Sequence, residues 1–228
     1  MKILSVDLGT RNLAWCVLER EKKQEWPPDS VKIHAWKLVD ITEESAKPIE
    51  NVSDIDVASC VPLLVATLKK YKDELICVEH AFLETQPIGR PGGASNIRTK
   101  VLSHIFQAFL LEHNIPVTFV SPKLKTKHSG ADLTEYASRK KAAIKLTGEC
   151  LEKIAGEWND FWKQKKGKKD DLADAFLQGV LATFPKEPKE PKVPKEPKEP
   201  KESKDPKEKK KSPAHKKQKI PVPLLWQH

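Results

Sequence analysis

Apolar positions come in short runs through the first 120 residues, each closed by a turn or a charge. Ile3-Leu4-Ser5-Val6-Asp7-Leu8 is the first, ended by Gly9, and Leu13 to Leu18 reads as its hairpin partner. The charged run from Glu19 to Glu25 and the break at Trp26-Pro27-Pro28 separate this pair from a third strand over 31–41. Residues 42–52 have no periodic pattern and read as loop. Val57, Val61, Leu64, Val65 and Leu68 then recur at helical spacing, which predicts a helix ending near Tyr71. Leu75-Ile76-Cys77-Val78-Glu79 is too short for a helix and predicts a fourth strand.

Helices dominate the next hundred residues. Pro87, Gly89, Pro91, Gly92 and Gly93 mark 84–96 as a loop. Val101, Leu102, Ile105, Phe106, Phe109 and Leu110 give the apolar face of a helix over 97–113, and 116–120 is a fifth strand. Residues 135–154 read as a helix with a basic start, and a last helix opens near Lys169 and runs to about Thr183. Three meandering strands followed by strand–helix alternation predict an α/β fold: a mixed five-stranded sheet flanked by helices.

A different polymer begins at Pro185. Residues 185–219 hold 14 Lys, 7 acids and 8 Pro, so they carry +7 of the formal +9 and leave the rest of the chain nearly neutral. Pro and Lys each recur every third residue there, the period of polyproline II. At ~3.1 Å per residue the 24 residues 185–208 could reach roughly 75 Å. The domain reading is therefore 1–184 folded, 185–219 a disordered Lys-Glu-Pro tail, and 220–228 a short apolar segment. As plain composition the tail is a solvated spacer. Its denser lysines, Lys209 to Lys211 and Lys216, Lys217 and Lys219, add a second reading as a tether for DNA or a nuclear import receptor.

No apolar run approaches the ~20 residues that cross a bilayer, which argues against a membrane protein. The first residues lack a cleavage site and read as a strand rather than a secretion signal. Cys16, Cys60, Cys77 and Cys150 are scattered, Cys16 and Cys77 inside apolar runs, so neither a disulfide framework nor a zinc site is expected. This usage suits a reducing compartment, cytoplasm or nucleus.

The candidate chemistry lies in acids that interrupt apolar elements. Asp7 stands in the middle of a strand, where an unpaired charge is costly. Glu79 repeats the anomaly at the end of ELICVE. Asp171 and Asp174 are three apart on a helix with much of its surface apolar, so they share a face. Asp170 and Asp171 are also accounted for by helix capping and the dipole, but Asp174 lies a turn too deep for that. Four oxygen donors with no His or Cys cluster suit Mg²⁺ or Mn²⁺, and a pair of such ions hydrolyses phosphodiesters.

SVDLGTRNLAWCVLE, ICVEH, VSPKLK, RKKAAI and KKDDLADAFLQG together resemble the RuvC-like Holliday junction resolvases of the ribonuclease H-like superfamily. The branch they resemble is that of the poxvirus-type and mitochondrial cruciform-cutting enzymes. The resemblance covers residues 1–184. It implies a ribonuclease H-like sheet, two Mg²⁺ per site with Mn²⁺ substituting, and Asp7, Glu79, Asp171 and Asp174 as catalytic metal ligands. It also implies a homodimer matched to a four-way DNA junction, cut by paired symmetric nicks in viral or organellar DNA replication and recombination, and hence a viral factory in the cytoplasm, or the nucleus. Arg98, Lys100, Lys125, Arg139, Lys140, Lys168 and Lys169 flank the acids in sequence and are the expected DNA contacts.

Three rivals compete with this reading. An actin/hexokinase-type phosphotransferase shares Asp7-Leu8-Gly9-Thr10 but needs two domains and a second glycine-rich loop. A ribonuclease H acting on RNA–DNA hybrids would use the same acids. A non-catalytic junction-binding protein would gain nothing from burying four of them. Trp158 and Trp162, four apart, read as core packing rather than base stacking.

Overall fold

A computed structural model describes residues 1–20, 31–49, 51, 56–86, 94–128, 136–154 and 156–183. The tail and the apolar C-terminal segment lie outside the described residues, as does most of the 84–96 loop. The described residues fall in one unit, Met1–Lys186. Its strands are β1 (Lys2–Leu8), β2 (Asn12–Arg20), β3 (Val31–Asp40), β4 (His80–Glu84) and β5 (Val117–Val120). Its helices are α1 (Val57–Lys70), the single turn α2 (Lys72–Leu75), α3 (Ala94–Glu112), α4 (Lys123–His128), α5 (Tyr136–Lys153), α6 (Glu157–Gln164) and α7 (Lys169–Ala182).

The sheet order is β3-β2-β1-β4-β5. β1, β2 and β3 form an antiparallel meander, and β4 and β5 are added parallel to β1. The mixed five-stranded expectation is met. The β1–β2 hairpin closes where Gly9 donates its N–H to the Asn12 carbonyl at 2.8 Å. A side chain on Gly9 would lie 3.0 Å from that carbonyl oxygen, so the tight turn favours the glycine.

Side chains alternate across the sheet and so sort into two cores. Leu4, Val6 and Leu8 of β1, Leu13, Trp15 and Val17 of β2, and Ala81 and Leu83 of β4 pack under α1 and α3. Ile3 of β1, Ala14, Cys16 and Leu18 of β2, and Phe82 of β4 face the other way, onto α5, α6 and α7. α7 is almost wholly buried, from Leu172 to Leu181. It lies tight against the sheet at Gly179, where an added Cβ would stand 2.7 Å from Leu18 Cδ1 and 2.8 Å from Ser5 Cβ. Overpacking of that kind costs about 1–3 kcal/mol.

Trp36 anchors this second core. Its ring stacks on Trp162 at 5.3 Å between centroids, and its N–H donates to the Leu172 carbonyl at 3.0 Å. Trp158 donates to the Ile33 carbonyl at 3.0 Å, so Trp158 and Trp162 do pack as core. α6 carries the helical spacing of Trp158 and Trp162, whereas α4 was not expected from the periodicity.

Two corrections concern local structure. Leu75 closes α2, and 76–79 form a bend, so the expected fourth strand begins at His80 instead. Leu75 and Val78 are apolar because they plug the core beneath α1, not because they alternate along a strand. Cys77, although it lies inside an apolar run, where a cysteine usually packs as a small hydrophobe, is exposed, while Cys16, Cys60 and Cys150 are buried. Among the described residues, no helix is long and apolar enough to cross a membrane.

Candidate active site

The alternation that divides the cores also decides which acids meet. Ile3, Ser5 and Asp7 point to the α7 side of β1, and His80, Phe82 and Glu84 share that side of β4 by the same two-residue period. The β1–β4 ladder runs from Ile3↔His80 to Val6↔Leu83. Asp7 and Glu84 are the next residues on each strand, at the C-terminal ends of a parallel pair, where open α/β sheets place their ligand sites. α7 crosses this edge with Asp171 and Asp174 on its sheet-facing side.

Lys125, on α4, ties the group together. Its Nζ lies 2.6 Å from a Glu84 oxygen and 3.1 Å from a carboxylate oxygen of Asp174. Burial works against its ammonium, but Glu84, Asp174 and Asp7 together hold its pKa well above the ordinary lysine value. Burial also pushes the Asp7 carboxyl well above the usual range. Lys125 pulls it down, while Glu84, Asp174 and Asp171 push it further up. Asp171 accepts a hydrogen bond from Asn12 Nδ2 at 3.0 Å. Burial and Asp170 raise its pKa, and Lys168, Lys140 and the Asn12 bond offset this only in part.

Beside these acids opens a cleft of about 300 Å³, lined by Asp7, the Gly9-to-Asn12 turn, Glu84, Gln86, Thr99 and Asp171. The donors are carboxylates alone, the set that Mg²⁺ and Mn²⁺ prefer. Burial is the main cause of the Asp7 shift, and Glu84, Asp174 and Asp171 add a repulsion that a cation would relieve. Among the described residues no three acid, His or Cys side chains are already gathered as a cage. A divalent ion fits this donor set once Lys125 yields its place between Glu84 and Asp174.

The structure separates the expected site residues. Asp7, Asp171 and Asp174 are brought to the cluster, and Glu79 is not. Its N–H donates to the Lys2 carbonyl at 2.8 Å, and its carboxylate accepts from the Lys2 N–H at 2.9 Å, at the opposite end of β1 from Asp7. Five residue steps along β1, from Lys2 to Asp7, separate the two ends by about 16 Å. Glu84 stands where Glu79 was expected. Asp170, considered as a helix cap, pairs with Lys140 instead, and Lys168 is the N-cap residue of α7. Burial pushes the Asp170 carboxyl up, but Lys140, together with a backbone N–H and Lys168, holds its pKa below the usual value.

The expected DNA contacts are scattered around this centre. Lys125 is within the cluster rather than on its rim. Lys140 is engaged with Asp170, and the Lys169 ammonium sits over the Trp162 ring, 4.9 Å from its centroid. Lys168 and Arg139 are exposed. Arg98 and Lys100 lie on α3 on either side of the cleft residue Thr99, and Arg98 helps hold the Asp56 carboxyl below its usual value. Asn12 and Glu84 were not foreseen. The signal for Glu84 was the HAFLE alternation, polar at both ends of a buried strand.

A family model described as the poxvirus A22 protein matches residues 1–184, the whole of the described unit up to its last helix. The chain belongs to the poxvirus A22 protein family. No curated relative matches it in sequence. Among solved structures, this A22-family chain is similar to the fowlpox virus resolvase determined with substrate Holliday junction DNA. The two are 18% identical with a TM-score of 0.52, over 80% of this chain and 97% of that one. It is similar also to the yeast mitochondrial Holliday junction resolvase Ydc2, at 20% identity and a TM-score of 0.54, over 79% and 78% of the two chains. The RuvC of T. thermophilus in complex with a Holliday junction substrate gives 14% identity and 0.53, over 80% and 94%. The fold is thus the ribonuclease H-like resolvase fold, as the resemblance implied.

Proposed function

We propose that this chain is a metal-dependent endonuclease that resolves four-way DNA junctions. One observation carries the reading: in a chain of this family, Asp7 and Glu84 leave adjacent parallel strands at the same edge and meet Asp171 and Asp174 from α7. That proteins of the same fold were captured with junction DNA supports the substrate.

Divalent ions bound to oxygen ligands activate water and stabilise the leaving oxygen in phosphodiester hydrolysis. Asp7, Glu84 and Asp174 are the residues to hold them, two Mg²⁺ per site with Mn²⁺ as substitute. Asp171, which accepts a hydrogen bond from Asn12, would orient the attacking water. Lys125, once released from Glu84 and Asp174, is a cation free to meet the scissile phosphate. The Thr10-Arg11 turn and Thr99 wall the cleft that receives the backbone. A homodimer would set two such clefts on the two-fold axis of a junction and give paired nicks. The tail adds electrostatic capture of DNA.

The test is cleavage of a labelled four-way junction by wild type and Asp171→Asn, with Mg²⁺ and with EDTA, beside duplex and RNA–DNA hybrid controls. Paired symmetric nicks that vanish in the variant and in EDTA are expected. Cleavage of the hybrid alone would make the protein a ribonuclease H. For the tail, deletion of residues 185–228 should weaken junction binding and flatten its salt dependence by about 0.9 in log–log slope for each phosphate the tail neutralises. Turnover at saturating DNA should stay the same, and an unchanged salt slope sinks the tail's part.

A further inference from the structure

Gln178 is the one fully buried polar side chain of α7, among Leu172, Ala173, Phe176, Leu177, Val180 and Leu181. It lies one turn beyond Asp174 and two beyond Asp171, on the same helical face. Its side-chain nitrogen donates to two main-chain carbonyls, those of Val6 and Phe82, each at 3.1 Å. An amide nitrogen carries two protons, so both are used. Val6 is the residue before Asp7, and Phe82 is two before Glu84. The β1–β4 ladder ends at the pair Val6↔Leu83, so Gln178 links the two strands where their mutual hydrogen bonding stops and the cleft begins.

Packing alone does not call for an amide here. A methionine or leucine would fill similar space, and a buried amide is tolerated only when its hydrogen bonds are made. We propose that Gln178 is a positioning residue: it fixes the separation of β1 and β4 at their C-terminal ends and ties both to α7. Asp7, Glu84, Asp171 and Asp174 then keep one mutual geometry through binding and reaction. This inference rests on the reading of those acids as a metal site. It explains how acids from three elements are held together although like charges repel and the ammonium between Glu84 and Asp174, that of Lys125, would give way to a metal.

The test compares Gln178→Met, which keeps length and volume but has no donor, with Trp158→Phe. The control removes a side-chain-to-carbonyl hydrogen bond of the same core, away from the cluster. Mn²⁺ affinity of the protein without DNA, Tm in EDTA, and kcat and KM on a four-way junction are measured for both. Gln178→Met should bind Mn²⁺ about tenfold more weakly, in the range typical of removing groups that support metal ligands. Its kcat should fall at least as far, with KM near wild type, while Trp158→Phe at comparable Tm keeps both. Equal Mn²⁺ affinity and kcat in the two variants would overturn the proposal. Should Gln178→Met not fold, Gln178→Asn retains the donor on a shorter arm that cannot span both carbonyls, and wild-type Mn²⁺ affinity in it is likewise fatal. A wild type that binds Mn²⁺ at this site yet cuts no junction would refute the nuclease reading, with the Mn²⁺ comparison still deciding the role of Gln178.

Discussion

Two glutamates five residues apart, one just before β4 and one at its end, live in opposite worlds. Glu79 precedes the strand, is exposed, and is bonded to the main chain of Lys2. Glu84 closes the strand, is largely buried, and shares Lys125 with Asp174. The strand runs between them, so Glu79 stays at the Lys2 end of β1 while Glu84 reaches the Asp7 end. Glu84 also shares its side of β4 with Phe82, the side that α7 covers. A carboxylate's chemistry here is set by strand register and direction rather than by its apolar neighbours.

The largest expected effect breaks or confirms this contrast directly. Glu84→Gln should reduce junction cleavage by more than the roughly 10–100-fold typical of groups that merely support metal ligands. Glu79→Gln should change it by no more than about twofold, as exposed positions do. Single-turnover cleavage of a labelled junction measures both. The reverse ranking would return Glu79 to the site and dismiss the cluster around Lys125.

Why one glutamate was legible and the other not has a physical answer. Asp7, Asp171 and Asp174 each interrupt an apolar pattern locally, so the cost of burying them is visible in their own elements. Both ICVE and AFLE offer a glutamate after apolar residues, and local pattern favours the longer run. The choice is made by the pairing Ile3↔His80, a long-range contact that sets the register of β4 on β1. Leu75 and Val78 look like strand residues because plugging a core needs the same side chains. The sheet's mixed order was readable because hairpin and crossover connections leave distinct spacings. α4 was not, since Leu124 is its single apolar side chain. Lys125 reads as a DNA contact because a lysine with Lys123 and Lys127 two residues to either side gives no sign that acids from other elements will surround it.

The next effect sharpens the contrast in stability rather than activity. Lys125→Met leaves Glu84 and Asp174 without their cation, whereas nothing comparable surrounds Glu79. Removing one partner of a buried pair costs about 3–5 kcal/mol. Lys125 is 13% exposed and its partners retain some access to water, so about 2–3 kcal/mol is expected in EDTA. Urea unfolding measures the loss. Mn²⁺ should restore much of it, because the ion replaces the missing charge and only the folded state gathers its ligands. A variant as stable as wild type in EDTA would mean that the acids do not need Lys125.

The smallest effect is one of pH. Asp7 and Asp171 have folded pKa values above the ordinary carboxylate value. Between that value and their raised ones the folded protein holds protons that the unfolded chain has released, so stability falls as pH rises through the window. Asp170, lowered by Lys140, acts with the opposite sign and below the ordinary value, where its stabilisation is lost on acidification. His80, lowered by burial, also opposes the trend as pH drops through the histidine range. These contributions overlap, so the informative quantity is a difference. In EDTA, Asp7→Asn should be stabilised relative to wild type at neutral pH, and the gap should narrow as acid protonates Asp7 in the wild type. Thermal melts of both proteins from neutral to mildly acid pH measure this, and with saturating Mn²⁺ the sign should reverse at neutral pH. A gap that stays constant across the range would mean that Asp7 does not titrate above its ordinary value, and that the crowding of acids at this edge of the sheet is relieved by something other than protons, Lys125 or a metal.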